Sequence, residues 1–523
     1  EGGQIVGVQE DSGPYEEFML PGFIDSHIHI ESTMLTPSQF ARLAVTHGTV
    51  AVVSDPHEIA NVLGLDGVRF MLENAATVPL PFYFGAPSCV PATPFETGGG
   101  VLGLTEIEEL FQDGRVRYLS EMMNVPGVLH HDTEVEAKLA MARQRGLRID
   151  GHAPGLVGEP LQRYVEAGIS ADHETISLAE GEEKIRLGMK VQIREGSAAK
   201  NFADLFPLLD RYPGQCMFCS DDLHPDDLAR GQMNLLVKRA LAQGAGLYNV
   251  LRAACLTPVR HYGLNCGLLR MGDRADCIVL NNLRDCRVLA TYLKGIKVAE
   301  KGHALFSTPA VTTVNNFQAS PCSPEDFAIQ ATGSRIRVIC VTDGQLITGK
   351  SEEKVRKENG LAVADPERDI LKISVVNRYT KDRPAVGFVK NFGLHQGAFA
   401  SSVAHDSHNI IAVGCDDFSI CRAVNLIIDA MGGLAAVDEN EEQFLPLPIA
   451  GLMSDADGLT VAERYQALDA MVKRLGSPLA APFMTLSFMA LLVIPALKLS
   501  DQGLFDGETF QFTELFCKNS GSR

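Results

Sequence analysis

Residues 21–30 read PGFIDSHIHI, a Pro-Gly turn that leads into an apolar strand with two histidines. Successive side chains of a strand point to opposite faces, so His27 and His29 share one face. Imidazole nitrogens placed side by side in this way suit a divalent transition metal. The stretch therefore predicts a strand that carries metal ligands at one end of the fold.

Further apolar strands alternate with helical stretches from about residue 20 to residue 225. The pattern predicts a helix over Thr133–Gln144, and eight β–α units in about 200 residues predict a TIM-like (β/α)8 barrel over residues 21–261. After the strand that begins near Phe23, the predicted strands are Gly48–Ser54, Phe82–Gly85, Tyr118–Glu121, Leu147–Gly151, Ile169–His173, Lys190–Arg194 and Cys216–Ser220.

The rest of the chain predicts smaller units around this α/β barrel. Short β segments, among them Ile5–Val8, predict a small partial β-sandwich, and a Ser-, Thr-, Pro- and Asn-rich stretch predicts a linker. The chain opens on Glu1, and only residues 2–4 separate it from that strand, which favours a fragment whose first strands are missing. The expected boundaries are residues 1–20 and 262–305 for the sandwich, 306–325 for the linker and 326–523 for a C-terminal α+β domain.

Composition excludes several classes of function. The 46 Lys and Arg residues against 65 Asp and Glu residues give a net charge of −19, whereas nucleic acids and anionic membranes require a positive surface. A free base carries no phosphate and remains a reasonable substrate. The 12 Cys residues follow no regular framework, which favours reduced thiols and a cytoplasmic protein. We expect no signal peptide from the sequence, and it contains no run of about 18 uncharged apolar residues.

Metal-binding residue types also stand at the ends of other predicted strands. The carboxyl ends of barrel strands converge on one rim, where catalytic residues lie. Each of these residues alone is typical of a polar rim position, but their joint occurrence in chain order favours a metal site. With His27 and His29, the set comprises Glu121, His152, His173 and Asp221.

Several long motifs closely resemble the adenine deaminase family of the amidohydrolase superfamily. The resemblance covers nearly the whole chain and extends into the C-terminal domain. It is carried by PGFIDSHIHIES (21–32), SDPHE (54–58), APSCVP (86–91), SEMMNVPGV (120–128), DGHAPGL (150–156), DHET (172–175), IREGSAAKN (193–201), CSDD (219–222), KNFGL (390–394), GAFASSVAHDSHNIIAVG (397–414), LPLPIAGLMS (445–454) and IPALKLSDQGLFDGE (494–508).

The resemblance implies hydrolysis of adenine to hypoxanthine and ammonia, in purine salvage, by a metal-bridged hydroxide that attacks C6. It implies two divalent metals, Mn²⁺ or Fe²⁺ with Zn²⁺ as a further option, and a homodimer. Asp221 would take the hydroxide's proton, and either Glu121 or Asp221 would be the general acid. Relatives often use a carbamylated Lys as the bridge, but Tyr118–Met122 contains none. The implied ligands are His27, His29 and Asp221 for the first metal, His152 and His173 for the second, and Glu121 as the bridge.

Three further segments have both a functional and a structural interpretation. The first segment, which contains Asp55, could form an additional metal site or support the pair of metals. Asp55 is equally typical of a helix N-cap. The second could bind the purine edge or form part of the rim. The third could cover the barrel mouth and contact the base, or form a turn held by its own side chains. These residues are Asp55, His57 and Glu58; Arg194, Glu195 and Ser197; and His405, Asp406 and His408.

Two other functions stay open at this point. One is hydrolysis of a cyclic amide, as in dihydroorotases and hydantoinases, although their usual Lys bridge is missing here. The other is a non-catalytic, metal-binding relative.

Overall fold

Eight parallel strands form a barrel near the start of the chain. The computed structural model describes residues 1–517, and each barrel strand is hydrogen-bonded to the next. A short strand, β1 (Phe18–Pro21), leads into the barrel strands β2 (Phe23–Ile28), β3 (Thr49–Ser54), β4 (Phe82–Ala86), β5 (Val116–Met122), β6 (Arg148–Gly151), β7 (Ala171–Asp172), β8 (Lys190–Arg194) and β9 (Cys216–Cys219).

Helices cover the outside of the barrel. Asp132 caps the helix predicted over Thr133–Gln144 by accepting hydrogen bonds from two backbone N–H groups of its first turn, so that helix begins where the sequence places it. The helices are α1 (Pro37–Ala44), α2 (His57–Leu63), α3 (Leu65–Ala75), α4 (Leu104–Gln112), α5 (Val125–Leu129), α6 (Thr133–Gln144), α7 (Gly158–Glu166), α8 (Leu178–Arg186), α9 (Phe202–Leu205), α10 (Leu208–Arg211), α11 (Pro225–Arg230), α12 (Met233–Ala242), α13 (Leu247–Leu251) and α14 (Thr257–Tyr262).

The first and last barrel strands meet at the mouth. The backbone N–H of Asp221 donates to the carbonyl oxygen of His27 at 2.9 Å, and Ile28 and Asp221 form a parallel bridge. Strands β2 and β3 are buried along their whole length, as expected for parallel strands covered on both faces. The predicted α/β class with a TIM-like barrel is confirmed.

A five-stranded antiparallel sheet lies beside the barrel. It has the order β1-β10-β11-β12-β13, with β10 (Cys277–Leu280), β11 (Val288–Leu293), β12 (Ile296–Glu300) and β13 (His303–Ala304). The predicted strand Ile5–Val8 is wrong, because residues 5–17 contain no strand. Val6 and Val8 are 64% and 72% exposed, and the edge position beside β10 is taken by β1. A sandwich and the proposed domain boundaries stay predictions.

Residues 307–323, which contain no helix or strand, connect this sheet to the C-terminal unit. There, the strands are β14 (Ile329–Gln330), β15 (Arg335–Cys340), β16 (Gly349–Lys354), β17 (Arg356–Glu358), β18 (Leu361–Val363), β19 (Ile370–Val376), β20 (Ala385–Lys390), β21 (Ala398–Ser401), β22 (Ile410–Gly414), β23 (Gly433–Val437), β24 (Glu442–Pro446), β25 (Leu497–Ser500), β26 (Gly503–Asp506) and β27 (Gln511–Phe512). Eight of them form a sheet with the order β16-β15-β20-β19-β22-β21-β23-β24, and the others form two three-stranded sheets with the orders β14-β18-β17 and β25-β26-β27.

The C-terminal unit packs directly on the barrel. Its helices are α15 (Asp417–Asp429), α16 (Gly458–Arg474) and α17 (Pro482–Ser487), and α16 packs against α1 and α11. One contiguous apolar core runs through both units. Side chains of the C-terminal unit can therefore form part of a site at the barrel mouth. Within residues 1–517, every helix is too short or too polar to cross a membrane.

Candidate active site

The six predicted metal-binding side chains lie together at the mouth of the barrel. All of them are buried or nearly so, and each lies near the end of a barrel strand or within two residues after it. His27 lies in β2 with His29 directly after it, Glu121 lies in β5, His152 and His173 follow β6 and β7, and Asp221 lies two residues beyond β9.

One group of ligand atoms comprises two imidazole nitrogens and a carboxylate oxygen. The Nε2 atoms of His27 and His29 are 3.2 Å apart, and Asp221 Oδ1 lies 3.5 Å from the first and 3.1 Å from the second. Donors about 2.0–2.1 Å from a tetrahedrally coordinated cation lie about 3.3 Å from one another. The spacing of these three atoms therefore fits one shared cation.

A second group of ligand atoms surrounds one carboxylate oxygen of Glu121, Oε2. Oε2 of Glu121 lies 2.8 Å from His152 Nδ1 and 3.2 Å from His173 Nε2. Oε1 of the same carboxylate lies 3.3 Å from His29 Nε2. The two oxygens of Glu121 thus face two separate histidine groups, which is the arrangement required of a bridging ligand.

Backbone and side-chain contacts orient these imidazoles. His29 Nδ1 donates to the carbonyl oxygen of Asp55 at 3.0 Å, which leaves the lone pair of Nε2 free to bind a metal. The Asp55 carboxylate lies 3.1 Å from His57 Nδ1, and that nitrogen is 3.4 Å from Glu121 Oε1. Asp55 and His57 are therefore placed beside the candidate metal ligands.

Arg194 lines the cavity at the barrel mouth, where its guanidinium contacts two carboxylates. Its Nη1 lies 2.6 Å from Asp221 Oδ2 and also contacts Glu174. Glu174 lies 3.8 Å from His152 and 3.6 Å from His173. Arg194 thus holds Asp221 so that its other oxygen faces His27 and His29.

The electrostatics of the site favour the ionised forms of Glu121 and Asp221. Burial would raise the pKa of Glu121, but His152 and His173 hold that pKa well below its usual range. Burial would likewise raise the pKa of Asp221, but Arg194 and His173 lower it strongly. Burial opposes protonation of His152, yet Glu174 and Glu121 raise its pKa to about 9. Cations entering this cluster would displace such protons.

The C-terminal unit contributes one wall of the same cavity. His405 Nδ1 lies 2.6 Å from Glu58 Oε1, and His408 contacts the other oxygen of Glu58. Asp406 Oδ1 is 3.8 Å from His57 Nε2. His405 and Asp406 line the cavity together with the barrel residues, whereas His408 lies behind Glu58.

Apolar side chains cover part of the cavity. Phe488 stacks on His405, with ring centroids 4.9 Å apart and ring planes at 23°. Leu346 and Leu491 of the C-terminal unit and Met123 of the barrel complete this apolar lining. The cavity therefore combines a polar floor with an apolar wall, as expected for a small aromatic ligand.

Two residues assigned to substrate contact from the sequence lie elsewhere. Glu195 forms an ion pair with Arg239 at 2.8 Å, and Ser197 donates to Asp227 at 2.6 Å. Neither lines the cavity, because the backbone after β8 turns these side chains towards α11 and α12.

Glu174 and Asp222 also line the cavity, although neither is among the site residues predicted from the sequence. Asp222 accepts a hydrogen bond from Ser32 at 2.5 Å. Each stands directly after a selected residue, in the motifs DHET and CSDD, so the position after a strand end was the available signal. No local signal identifies Phe488 or Leu346.

A barrel with a buried histidine and carboxylate cluster at its mouth is typical of a metal-dependent hydrolase. Residues 18–298 match the amidohydrolase family, and residues 345–511 match the adenine deaminase C-terminal domain. Among similar proteins, the adenine deaminase of Salinibacter ruber (strain DSM 13855 / M31) is 54% identical over 98% of this chain and 94% of its own.

Two further relatives agree with this result. The adenine deaminase of Sulfurovum sp. (strain NBC37-1) is 55% identical over 98% of this chain and 95% of its own. That of Methanosarcina mazei is 50% identical over 99% of this chain and 96% of its own. The chain therefore belongs to the adenine deaminase family within the amidohydrolases, which are metal-dependent enzymes.

Proposed function

We propose that this chain hydrolyses adenine to hypoxanthine and ammonia. The observation that carries the proposal is the arrangement around Glu121, whose two oxygens lie within 3.3 Å of nitrogens from two histidine groups. The choice of adenine is supported by identities of 54% and 50% to adenine deaminases over nearly the full chain.

The donor atoms fit a pair of divalent cations, which we propose to be Mn²⁺ or Fe²⁺, with Zn²⁺ as the further option. When bound, such a pair lowers the pKa of a water molecule from about 15.7 towards about 7 and so supplies a nucleophile at neutral pH. His27, His29 and Asp221 would hold one cation, His152 and His173 the other, and Glu121 both.

Asp221 is proposed to move the protons of the reaction. Water adds to C6 of adenine, the bond from C6 to the amino nitrogen breaks, and ammonia leaves. Asp221 Oδ1 would accept one proton of the attacking water and pass it to N1. The second proton of that water, released as the C6 hydroxyl becomes a carbonyl, would pass to the amino nitrogen, which leaves as ammonia. We propose either Glu121 or Asp221 as the general acid, since the carboxylate oxygens of both residues face the imidazoles of the site.

The wall of the cavity is proposed to bind the base. Phe488 offers an aromatic face to the purine ring, and His405 and Asp406 offer polar groups to its edge. Arg194 is assigned to orienting Asp221 because its guanidinium is engaged by two carboxylates. We do not propose that Glu195 or Ser197 binds the substrate, since they contact Arg239 and Asp227. His408 is proposed to position Glu58.

An additional metal at Asp55, His57 and Glu58 stays a prediction. Glu58 Oε1 lies 3.5 Å from His57 Nε2, and the carboxylate of Glu58 also clusters with His405 and His408. Asp55 and His57 are proposed to support the paired cations from the adjoining strand end.

The two other functions receive less support. Cyclic amide hydrolysis is not favoured by the relatives, which are adenine deaminases over their full length. A non-catalytic role is not favoured because the complete donor set is present.

We propose a homodimer in the cytoplasm, with adenine as the ligand. All 12 cysteines are free thiols, which suits a reducing compartment. The net charge of −19 leads us to propose neither nucleic acid nor a membrane as a partner.

Ammonia release tests the proposed function. Metal-free protein is reconstituted with Mn²⁺, Fe²⁺ or Zn²⁺ and given adenine, hydantoin or dihydroorotate in separate reactions. We expect ammonia from adenine and no turnover of the two cyclic amides. His27→Ala should abolish the activity without unfolding the protein. Turnover of hydantoin without turnover of adenine would refute the proposal.

A further inference from the structure

Lys498 is a fully buried cation in β25. Its Nζ donates to the carbonyl oxygens of Leu346 at 2.8 Å and Phe488 at 2.9 Å. No carboxylate among residues 1–517 lies within 4.0 Å of this ammonium group. Burial without an anionic partner lowers the pKa of Lys498 to about 7.

Other buried lysines of the chain differ in this respect. Lys184 contacts Asp172 at 2.7 Å and Glu180 at 2.6 Å, and Lys372 contacts Asp417 at 2.5 Å. A buried ammonium without a carboxylate costs free energy that an apolar side chain of similar length would not. We therefore expect Lys498 to have a role other than stabilising the fold.

The two carbonyl groups that Lys498 contacts belong to the wall of the active-site cavity. Leu346 lies in the loop between β15 and β16, and Phe488 begins a 3₁₀ turn, Phe488–Ala490. Both side chains line the cavity, and Phe488 also stacks on His405. Lys498 thus joins two segments, distant in sequence, at the place where a base would bind.

We propose that Lys498 is a positioning residue for the adenine-binding wall. Its N–H groups fix the carbonyls of Leu346 and Phe488 relative to each other, and so hold the Phe488 ring at a constant distance from His405. The proposal rests on the proposed function, since it takes adenine as the base that meets this ring. Lys498 itself does not line the cavity.

Lys498→Met keeps an unbranched side chain that is one atom shorter and removes the N–H donors. Base stacking on an aromatic side chain changes affinity by roughly tenfold, so we expect KM for adenine to rise roughly tenfold while kcat changes less than about threefold. Tm should stay the same or rise, because a buried cation is removed. Replacing a residue with a purely structural role would lower Tm. A higher KM at an unchanged or higher Tm would therefore not result from such a role.

Lys372→Met is the matched control. Lys372 is also buried and donates to a backbone carbonyl, that of Phe327 at 3.0 Å, but it does not line the cavity. We expect a lower Tm and an unchanged KM. Lys498→Gln, which keeps an N–H donor, should give an intermediate KM and serves if the Met variant does not fold.

Crystal structures of the wild-type protein and a Lys498 variant supply a readout that does not depend on adenine turnover. We expect Leu346 and Phe488 to move apart in the variant. Unmoved positions of both residues, or an unchanged KM in both Lys498 variants, would overturn the proposal. If the wild-type protein does not act on adenine, the proposed function fails, and the displacement alone decides the role of Lys498.

Discussion

Replacing Glu121 by glutamine perturbs the proposed bridge while leaving its shape intact. In the structure, Oε1 of Glu121 faces His29 at 3.3 Å and Oε2 faces His152 at 2.8 Å and His173 at 3.2 Å. The amide of glutamine has no charge, and one of its ends is a donor that cannot ligate a metal. Both candidate cation positions should therefore lose affinity from a single change.

The magnitude follows from the position of Glu121. Removing a residue that hydrogen-bonds a metal ligand typically lowers the affinity for the metal about 10–100-fold. A bridging ligand contacts the metal itself, so its loss should lower that affinity more. We expect each cation to bind at least about 100-fold more weakly, which corresponds to about 3 kcal/mol per cation. At micromolar metal, the variant should hold at most one cation per chain.

Metal content and turnover are measured together on dialysed protein. We expect Glu121→Gln to lose at least one cation and its deaminase activity. Asp150→Asn is the matched control, because Asp150 is also fully buried and lies on the adjacent strand, where it accepts a hydrogen bond from Tyr262 at 2.7 Å. The control should keep both cations. A Glu121→Gln protein with two cations and normal kcat would refute the reasoning.

Three further predictions concern the proton carrier, the wall and the buried lysine. Asp221→Asn should lower kcat by roughly 10²–10⁴-fold with an unchanged circular dichroism spectrum; wild-type turnover would remove Asp221 from the mechanism. Phe488→Ala should raise KM for adenine by roughly tenfold in steady-state kinetics, and an unchanged KM would exclude stacking. Burial lowers the pKa of Lys498 to about 7, so between that pH and about 10.4 the unfolded chain binds more protons than the folded one. The unfolding free energy of the wild type, measured in urea titrations, should therefore rise with pH in that window. Its slope should exceed that of Lys498→Met by up to about 1.4 kcal/mol per pH unit, and equal slopes would contradict the assigned pKa.

The barrel could be predicted because its signals are local. Each parallel strand is a short apolar run between helical segments, and a residue at its end, such as His152 or Asp221, must lie on the common rim. The N-terminal strand Ile5–Val8 could not be judged in the same way. Its residues Val6 and Val8 are exposed, and β1 pairs with β10 at the edge of the sheet instead.

The rest of the site depends on contacts between distant parts of the chain. Phe488 and Leu346 reach the cavity only because the C-terminal unit packs on the barrel, and no periodicity encodes that contact. The sequence does not reveal the direction of a loop side chain either, so it predicts Glu195 in the site although its carboxylate pairs with Arg239. Arg194 lies in the site, but only the fold reveals that it binds Asp221.

Anomalous scattering from crystals of the Mn²⁺-reconstituted protein tests the central claim most directly. We predict two peaks about 3.5–4 Å apart, one beside His27, His29 and Asp221 and the other beside His152 and His173, with Glu121 between them. A single peak, or two peaks that do not share Glu121, would contradict the account.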